Sequence, residues 1–326
     1  MAKITVLGAG GWGLALALTL NENAHTVSVW TPFENEAELL RTLHTNDKLL
    51  SGVTIPDTIK VTTDISVIKD SEAVVIATPS FAVDSTAGLI AKEGYKGIVV
   101  NVAKGFEKKG MKRLSQVICE HLPQNLVVVL SGPSHAEEVA RKIPTMLTAA
   151  GTNAESLKTV QQYFSNENLR VYTNSDVIGV ELGGALKNII AVAAGVCDGM
   201  GLGDNSKAAL ITRGLVEMTR LGKALGAEAS TFAGLTGMGD LIVTCTSTHS
   251  RNHRFGELIG RGVAVDIALE EVGTVEGYYA CNIAYLLAQE AKVEVPIIEI
   301  CYQLLYQDYS VKDIVKTLMT RPFKQE

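Results

Sequence analysis

Short runs of β-branched and aliphatic residues recur along the first half of the chain: Ile4 to Leu7, Thr26 to Trp30, Ala73 to Ala77, Ile98 to Val102, Leu126 to Leu130, and more weakly Met146 to Ala149 and Leu169 to Tyr172. Most are continuously apolar, the pattern of strands covered on both faces. Segments between several of them carry helical periodicity, so a parallel α/β sheet is predicted. Past about Asp176 strand-like runs nearly vanish and long helical segments take over, at Val177 to Val196, Lys207 to Leu225, Tyr278 to Glu290 and Ile297 to Leu305. There is no internal repeat, low-complexity tract or Pro/Gly/Ser-rich linker, so the change of texture reads as a packed junction between a sheet domain, 1–176, and a helical domain, 177–326.

Length agrees with two domains, since 326 residues is about twice the ~150 expected of one. With 47% hydrophobic residues and 8 prolines the chain buries enough apolar surface to offset its ordering entropy, which excludes a disordered protein. A net charge of -6 disfavours nucleic acid and anionic lipid as partners. The most apolar window, Val177 to Met200, holds Glu181, Lys187 and Asn188 near its middle, so a buried helix is expected there and not a membrane span. Met1-Ala2-Lys3 runs straight into a strand pattern, and five scattered cysteines lack metal or redox spacing. These point to the cytoplasm, with no metal and with the cysteines as ordinary small apolar residues; Cys245 is the one to watch.

The first chemical signal is Gly8-Ala9-Gly10-Gly11-Trp12-Gly13, directly after a strand and before a helical pattern at Leu14 to Leu20. Gly8 allows the tight turn, Gly10 lets backbone approach a pyrophosphate, and Gly13 packs helix on sheet, so a Rossmann-type dinucleotide site is expected. An acid ending the second strand would mark NAD; here the strand ends Trp30-Thr31-Pro32-Phe33-Glu34, with neither that acid nor an arginine for a 2'-phosphate. Glu34 reads as an exposed residue of the next helix, and NAD against NADP stays open.

Three later strands run into small or polar turns: Thr78-Pro79-Ser80, Ala103-Lys104-Gly105-Phe106 and Ser131-Gly132-Pro133-Ser134. Lys104, ending an apolar strand, is expected to point into the crevice beyond the strand ends. Lys187 lies in a helix of apolar neighbours, with Gly183, Gly184, Ala191 and Ala194 forming a small-residue face around the amine that suits a substrate or a closely packed helix. Desolvation favours its neutral form, which suits proton transfer to an alcohol oxygen; a structural lysine paired with Glu181 is the alternative. Gly234 to Asp240 and Thr244 to Asn252 are dense in polar and special-backbone residues, and Ser250-Arg251-Asn252 before a helix makes a natural anion site.

Taken in order, Gly8 to Gly13, Lys104-Gly105-Phe106-Glu107, Ser131 to Ser134, Glu181 to Asn188, Gly234 to Thr246, Ser250 to Asn252 and Val275-Glu276-Gly277 resemble the NAD(P)-dependent glycerol-3-phosphate dehydrogenase family across essentially the whole chain. The resemblance implies a C-terminal domain like that of 6-phosphogluconate dehydrogenase, a homodimer, and interconversion of dihydroxyacetone phosphate and sn-glycerol 3-phosphate for glycerophospholipid synthesis. It implies Lys187 as the proton-transfer residue, with Lys104, Gly132, Ser134, Asp240, Ser250, Arg251 and Asn252 lining the phosphorylated substrate. Cofactor contacts are implied at Gly8, Gly10, Gly11, Trp12, Gly13, Phe33, Lys104, Ala136, Arg251 and Glu276. The family commonly has Ser where this chain has Gly11 and an aromatic residue where it has His135. Many bacterial members carry basic residues where Pro32 and Phe33 stand, which weighs against a strong NADP preference. Two other readings are a β-hydroxyacid dehydrogenase of the same plan, whose substrates carry a carboxylate, and a dinucleotide sensor without catalysis.

Overall fold

A computed structural model describes residues 1–307, 309–320 and 322, which divide into two compact units, Met1–Glu181 and Leu182–Glu326. The first unit carries eight strands in one sheet: β1 (Lys3–Leu7), β2 (Thr26–Trp30), β3 (Lys60–Thr62), β4 (Ala73–Ile76), β5 (Ile98–Asn101), β6 (Val127–Ser131), β7 (Thr145–Ala150) and β8 (Leu169–Asn174). Their order is β3-β2-β1-β4-β5-β6-β7-β8. Six of the seven pairings are parallel, as expected of a Rossmann-type sheet, and β6 with β7 is the antiparallel exception.

Between the strands run α1 (Gly11–Glu22), α2 (Glu34–Leu43), α3 (Val83–Lys92), α4 (Leu114–His121), α5 (Ala136–Ala140) and α6 (Ala154–Phe164). They cover both faces of the sheet. Val6, Val75, Val100 and Val128 pack with Leu14, Leu16 and Leu20 of α1 on one side, while Val74, Ile76 and Val99 pack with Ile90 of α3 and Ile118 of α4 on the other. The continuous apolar runs follow from that two-sided burial. The chain leaves β1 toward β2 and β3, then crosses back to β4 on the other side of β1, so the loops after β1 and β4 diverge at a topological switch point, the usual ligand crevice of such sheets.

The second unit is helical, built from most of α7 (Val177–Gly199) together with α8 (Gly203–Ala224), α9 (Ala229–Phe232), α10 (Asp240–Thr246), α11 (Arg251–Gly260), α12 (Val265–Val272), α13 (Glu276–Glu290), α14 (Pro296–Tyr306) and α15 (Val311–Met319). Among the described residues α7 is the one helix long and apolar enough to cross a membrane, and 83% of its most apolar window is buried inside the protein. Its small residues serve close packing: a Cβ on Gly183 would lie 2.6 Å from the Thr236 carbonyl oxygen, and one on Gly195 would lie 2.0 Å from that of His253.

Candidate active site

Within the first unit the site begins where β1 turns into α1. Gly8 has φ +121°, and a Cβ there would lie 2.8 Å from the Ala77 carbonyl oxygen, so β4's exit loop lies against it. A Cβ on Gly13 would lie 2.1 Å from the Gly8 carbonyl oxygen, whereas Gly10 has nothing within 4 Å of where its Cβ would be. The α1 N-terminus has neither a side-chain cap nor an acid in its first turn, so its amides and the positive end of its dipole face an open approach. This cradle fits the pyrophosphate of a dinucleotide. A side chain at Gly11 would come 2.8 Å from the Leu49 carbonyl oxygen, which explains glycine where the family commonly has serine.

At the end of β2, Thr31 is 1% exposed and its hydroxyl donates to the carboxylate of Glu36, while Phe33 is 63% exposed. Glu34, the exposed glutamate of the sequence reading, accepts from Arg41 Nη1 at 2.8 Å and from the Thr63 hydroxyl at 2.8 Å.

Beyond β5 and β6, Lys104 Nζ donates to the Gly132 carbonyl at 2.8 Å and meets Ser134 Oγ at 3.4 Å. Lys104, Gly132 and Ser134 therefore come together at one end of the sheet. The Ser131 hydroxyl beside them, in a residue 4% exposed, has no hydrogen-bond partner among the described residues. Ala136 opens α5, and its Cβ lies on the Gly11 side of that short helix.

Lys187 in the second unit is 6% exposed, and its Nζ donates to Asp240 Oδ1 and to Thr244 Oγ1, both at 2.7 Å. Asp240, 1% exposed, opens α10 just after a π-helical turn at Leu235–Gly239, which accounts for the glycine-rich segment before it. The Thr244 hydroxyl donates back to the Asp240 main-chain carbonyl at 2.6 Å, which fixes its lone pairs toward the amine. Asp240 favours the charged ammonium and burial favours the neutral amine, so the two effects oppose one another.

The alternative pairing of Lys187 with Glu181 is overturned. Glu181 instead accepts from Arg113 Nη1 at 2.6 Å, Ser115 N at 2.8 Å and Ser115 Oγ at 2.5 Å, within the first unit. Thr244 and Asn188 are the residues missed individually by the sequence reading, although both lie inside segments it singled out.

Ser250 caps α11 by accepting from His253 N at 3.2 Å, and Arg251 is the exposed first residue of that helix. Asn252, next on that helix, links two further elements of the second unit. Its Nδ2 donates to Asn188 Oδ1 at 2.9 Å and its Oδ1 accepts from Gly277 N at 2.8 Å, so it ties α7 to the start of α13, where Glu276 stands. His253 Nε2 lies 2.8 Å from the Asp198 carboxylate, which Lys207 Nζ also meets at 3.0 Å. Among the described residues no cluster of His, Cys, Asp or Glu is arranged to hold a metal ion.

Cys197, Cys245, Cys281 and Cys301 are buried as expected, but Cys119 is exposed. Burial pushes the Cys245 thiol up to about 12, against a smaller opposing pull from Lys187, so it is protonated and inert at neutral pH.

Two family descriptions match, NAD-dependent glycerol-3-phosphate dehydrogenase N-terminus over residues 3–157 and NAD-dependent glycerol-3-phosphate dehydrogenase C-terminus over residues 176–316. The chain belongs to this family. It is 51% identical over 327 residues to the glycerol-3-phosphate dehydrogenase [NAD(P)+] of Thermoanaerobacter sp. (strain X514), covering 99% of this chain and 98% of that one. Among solved structures, the glycerol-3-phosphate dehydrogenase of Coxiella burnetii superposes with a TM-score of 0.94 at 36% identity, over 98% of this chain and 99% of the other. That of Plasmodium falciparum gives 0.90 at 26% identity, over 99% and 97%.

Proposed function

We propose that the protein interconverts dihydroxyacetone phosphate and sn-glycerol 3-phosphate as an NAD(P)-dependent oxidoreductase acting on a CH–OH group. The observation that carries this reading is the buried Lys187–Asp240–Thr244 constellation in a chain that matches the dehydrogenase family through both of its regions. When bound, NADH or NADPH supplies the hydride that reduces C2 of the substrate. Lys187 gives the C2 oxygen its proton in that direction and takes it back in the other, while Asp240 and Thr244 hold the amine in one orientation.

In this reading 1–176 is the dinucleotide domain and 177–326 the substrate and catalytic domain. Gly8, Gly10, Gly11, Trp12 and Gly13 hold the pyrophosphate, with Phe33, Lys104, Ala136, Arg251 and Glu276 as further cofactor contacts. Arg251 grips the substrate phosphate with its planar fork of donors, and Lys104, Gly132, Ser134, Ser250 and Asn252 complete the substrate contacts. The enzyme works as a homodimer in the cytoplasm and feeds glycerophospholipid synthesis.

The test is oxidation of NADH or NADPH, followed spectrophotometrically, with dihydroxyacetone phosphate alongside 2-oxo and 3-oxo acids of similar length. Turnover of the phosphorylated triose alone is expected. Preference for a carboxylate substrate would move the protein to the β-hydroxyacid dehydrogenases, and cofactor binding without turnover of any of them would leave a sensor.

A further inference from the structure

We infer that Glu36, held by Thr31, reads the adenosine ribose of the cofactor and makes the protein select NADH over NADPH. The inference rests on the proposed dehydrogenase reading and decides which of the two dinucleotides serves it. In dinucleotide folds the ribose lies past the carboxyl end of the second strand, where an acid some 20 residues after the glycine motif accepts from its 2'-hydroxyl. The residue in that place here is Thr31, which follows directly on β2. The Gly8 amide donates to the Trp30 carbonyl at 2.8 Å, so the end of β2 is fastened to the loop that cradles the pyrophosphate.

Thr31 is not itself an acid, yet its buried hydroxyl donates to the half-buried Glu36 carboxylate, which reaches back from the first turn of α2. The negative charge absent from the linear position is thus supplied through space from five residues further on. The Thr31 bond engages Glu36 Oε2, and Oε1 makes no hydrogen bond among the described residues that would compete with a ribose hydroxyl. The segment that follows β2 offers little to offset that charge for a 2'-phosphate. Between Thr31 and Leu43 the one cation is Arg41, and it is spent on Glu34 Oε1 at 2.8 Å and, through Nε, on the Val61 carbonyl at 3.1 Å. A 2'-phosphate would therefore face Glu36 and Glu34 with no free guanidinium in the loop, whereas a 2'-hydroxyl finds an acceptor.

The measurement is equilibrium binding of NADH and of NADPH to the full chain, read as energy transfer from Trp12 and Trp30 to the nicotinamide, with no substrate present. The wild-type protein is expected to bind NADH at least about tenfold more tightly than NADPH, because like charges brought together at a binding site are strongly disfavoured. Glu36→Gln keeps an acceptor for the Thr31 hydroxyl and so keeps the loop folded; it should bring the two affinities within about threefold, chiefly by tightening NADPH, since it removes charge and not shape. Thr31→Val, which frees the carboxylate without removing it, should weaken NADH alone. A wild-type preference for NADPH, or a Glu36→Gln protein whose two affinities shift by the same factor, would overturn the inference and leave Glu36 a structural tie of α2. Binding of neither dinucleotide by folded wild-type protein would instead overturn the dehydrogenase reading itself, and this inference with it.

Discussion

Lys187 and Asp240 form an ion pair at 2.7 Å in surroundings that leave them 6% and 1% exposed. Asp240 stabilises the ammonium that reduction of a carbonyl requires, so replacing it should make the lysine give up its proton at lower pH. For Asp240→Asn the activity lost on the alkaline side of the dihydroxyacetone phosphate profile is expected to begin at lower pH than in the wild type. A kcat profile over pH 6 to 10 checks this. An unmoved alkaline limb would assign that ionisation to another group.

Arg251 is the exposed first residue of α11, at the end of the helix whose amide dipoles favour an anion. Arg251→Lys keeps the charge but loses the fork, and kcat/KM for dihydroxyacetone phosphate should fall by about tenfold or more, as for the loss of a charge-assisted contact in a closed site. NADH affinity should change less. Equal losses with dihydroxyacetone and its phosphate would make Arg251 a cofactor residue alone.

Local signals were legible in the sequence and distant pairings were not. Gly8, Gly10 and Gly13 were readable because their spacing, a strand before and a helix after are all local, and the positive φ of Gly8 follows from the turn they make. Three-residue β3 escaped because Lys60-Val61-Thr62 has one apolar residue and no run. The reversal of β7 also escaped, since a buried strand reads alike in either direction. Lys187 stood out as a charge on an apolar helix, and of the readings open for it the pairing with Glu181 is the one that fails. Glu181 is six residues away on α7 and hence off its face, whereas Asp240 is 53 residues along the chain, where periodicity carries no information. Glu36 was missed likewise, because its meaning depends on a tertiary bond to Thr31.

Asp198 ties α7 to α8 and α11. Burial pushes its carboxyl up, but hydrogen bonds and charge from Lys207 and His253 outweigh burial and hold it below its ordinary 3.8. With the folded value depressed, the unfolded chain binds the proton more readily; the stabilisation is whole above roughly pH 5 and is lost as pH falls through the folded value. Asp198→Asn should therefore lower the Tm at pH 7, and the gap to wild type should narrow between pH 5 and pH 3. A gap independent of pH would mean that the substitution acts through packing and not through charge.

Lys187→Met tests the central claim most directly, because it removes the amine and keeps the length and apolar character of the side chain. Steady-state reduction of dihydroxyacetone phosphate should be read beside NADH affinity and the thermal unfolding of the same preparation. Loss of a general acid typically costs about 10² to 10⁴ in rate, so kcat should fall by at least that lower factor with NADH binding and Tm nearly unchanged. A folded, cofactor-binding Met variant that retains more than about a tenth of wild-type turnover would contradict the assignment and place the proton on another group.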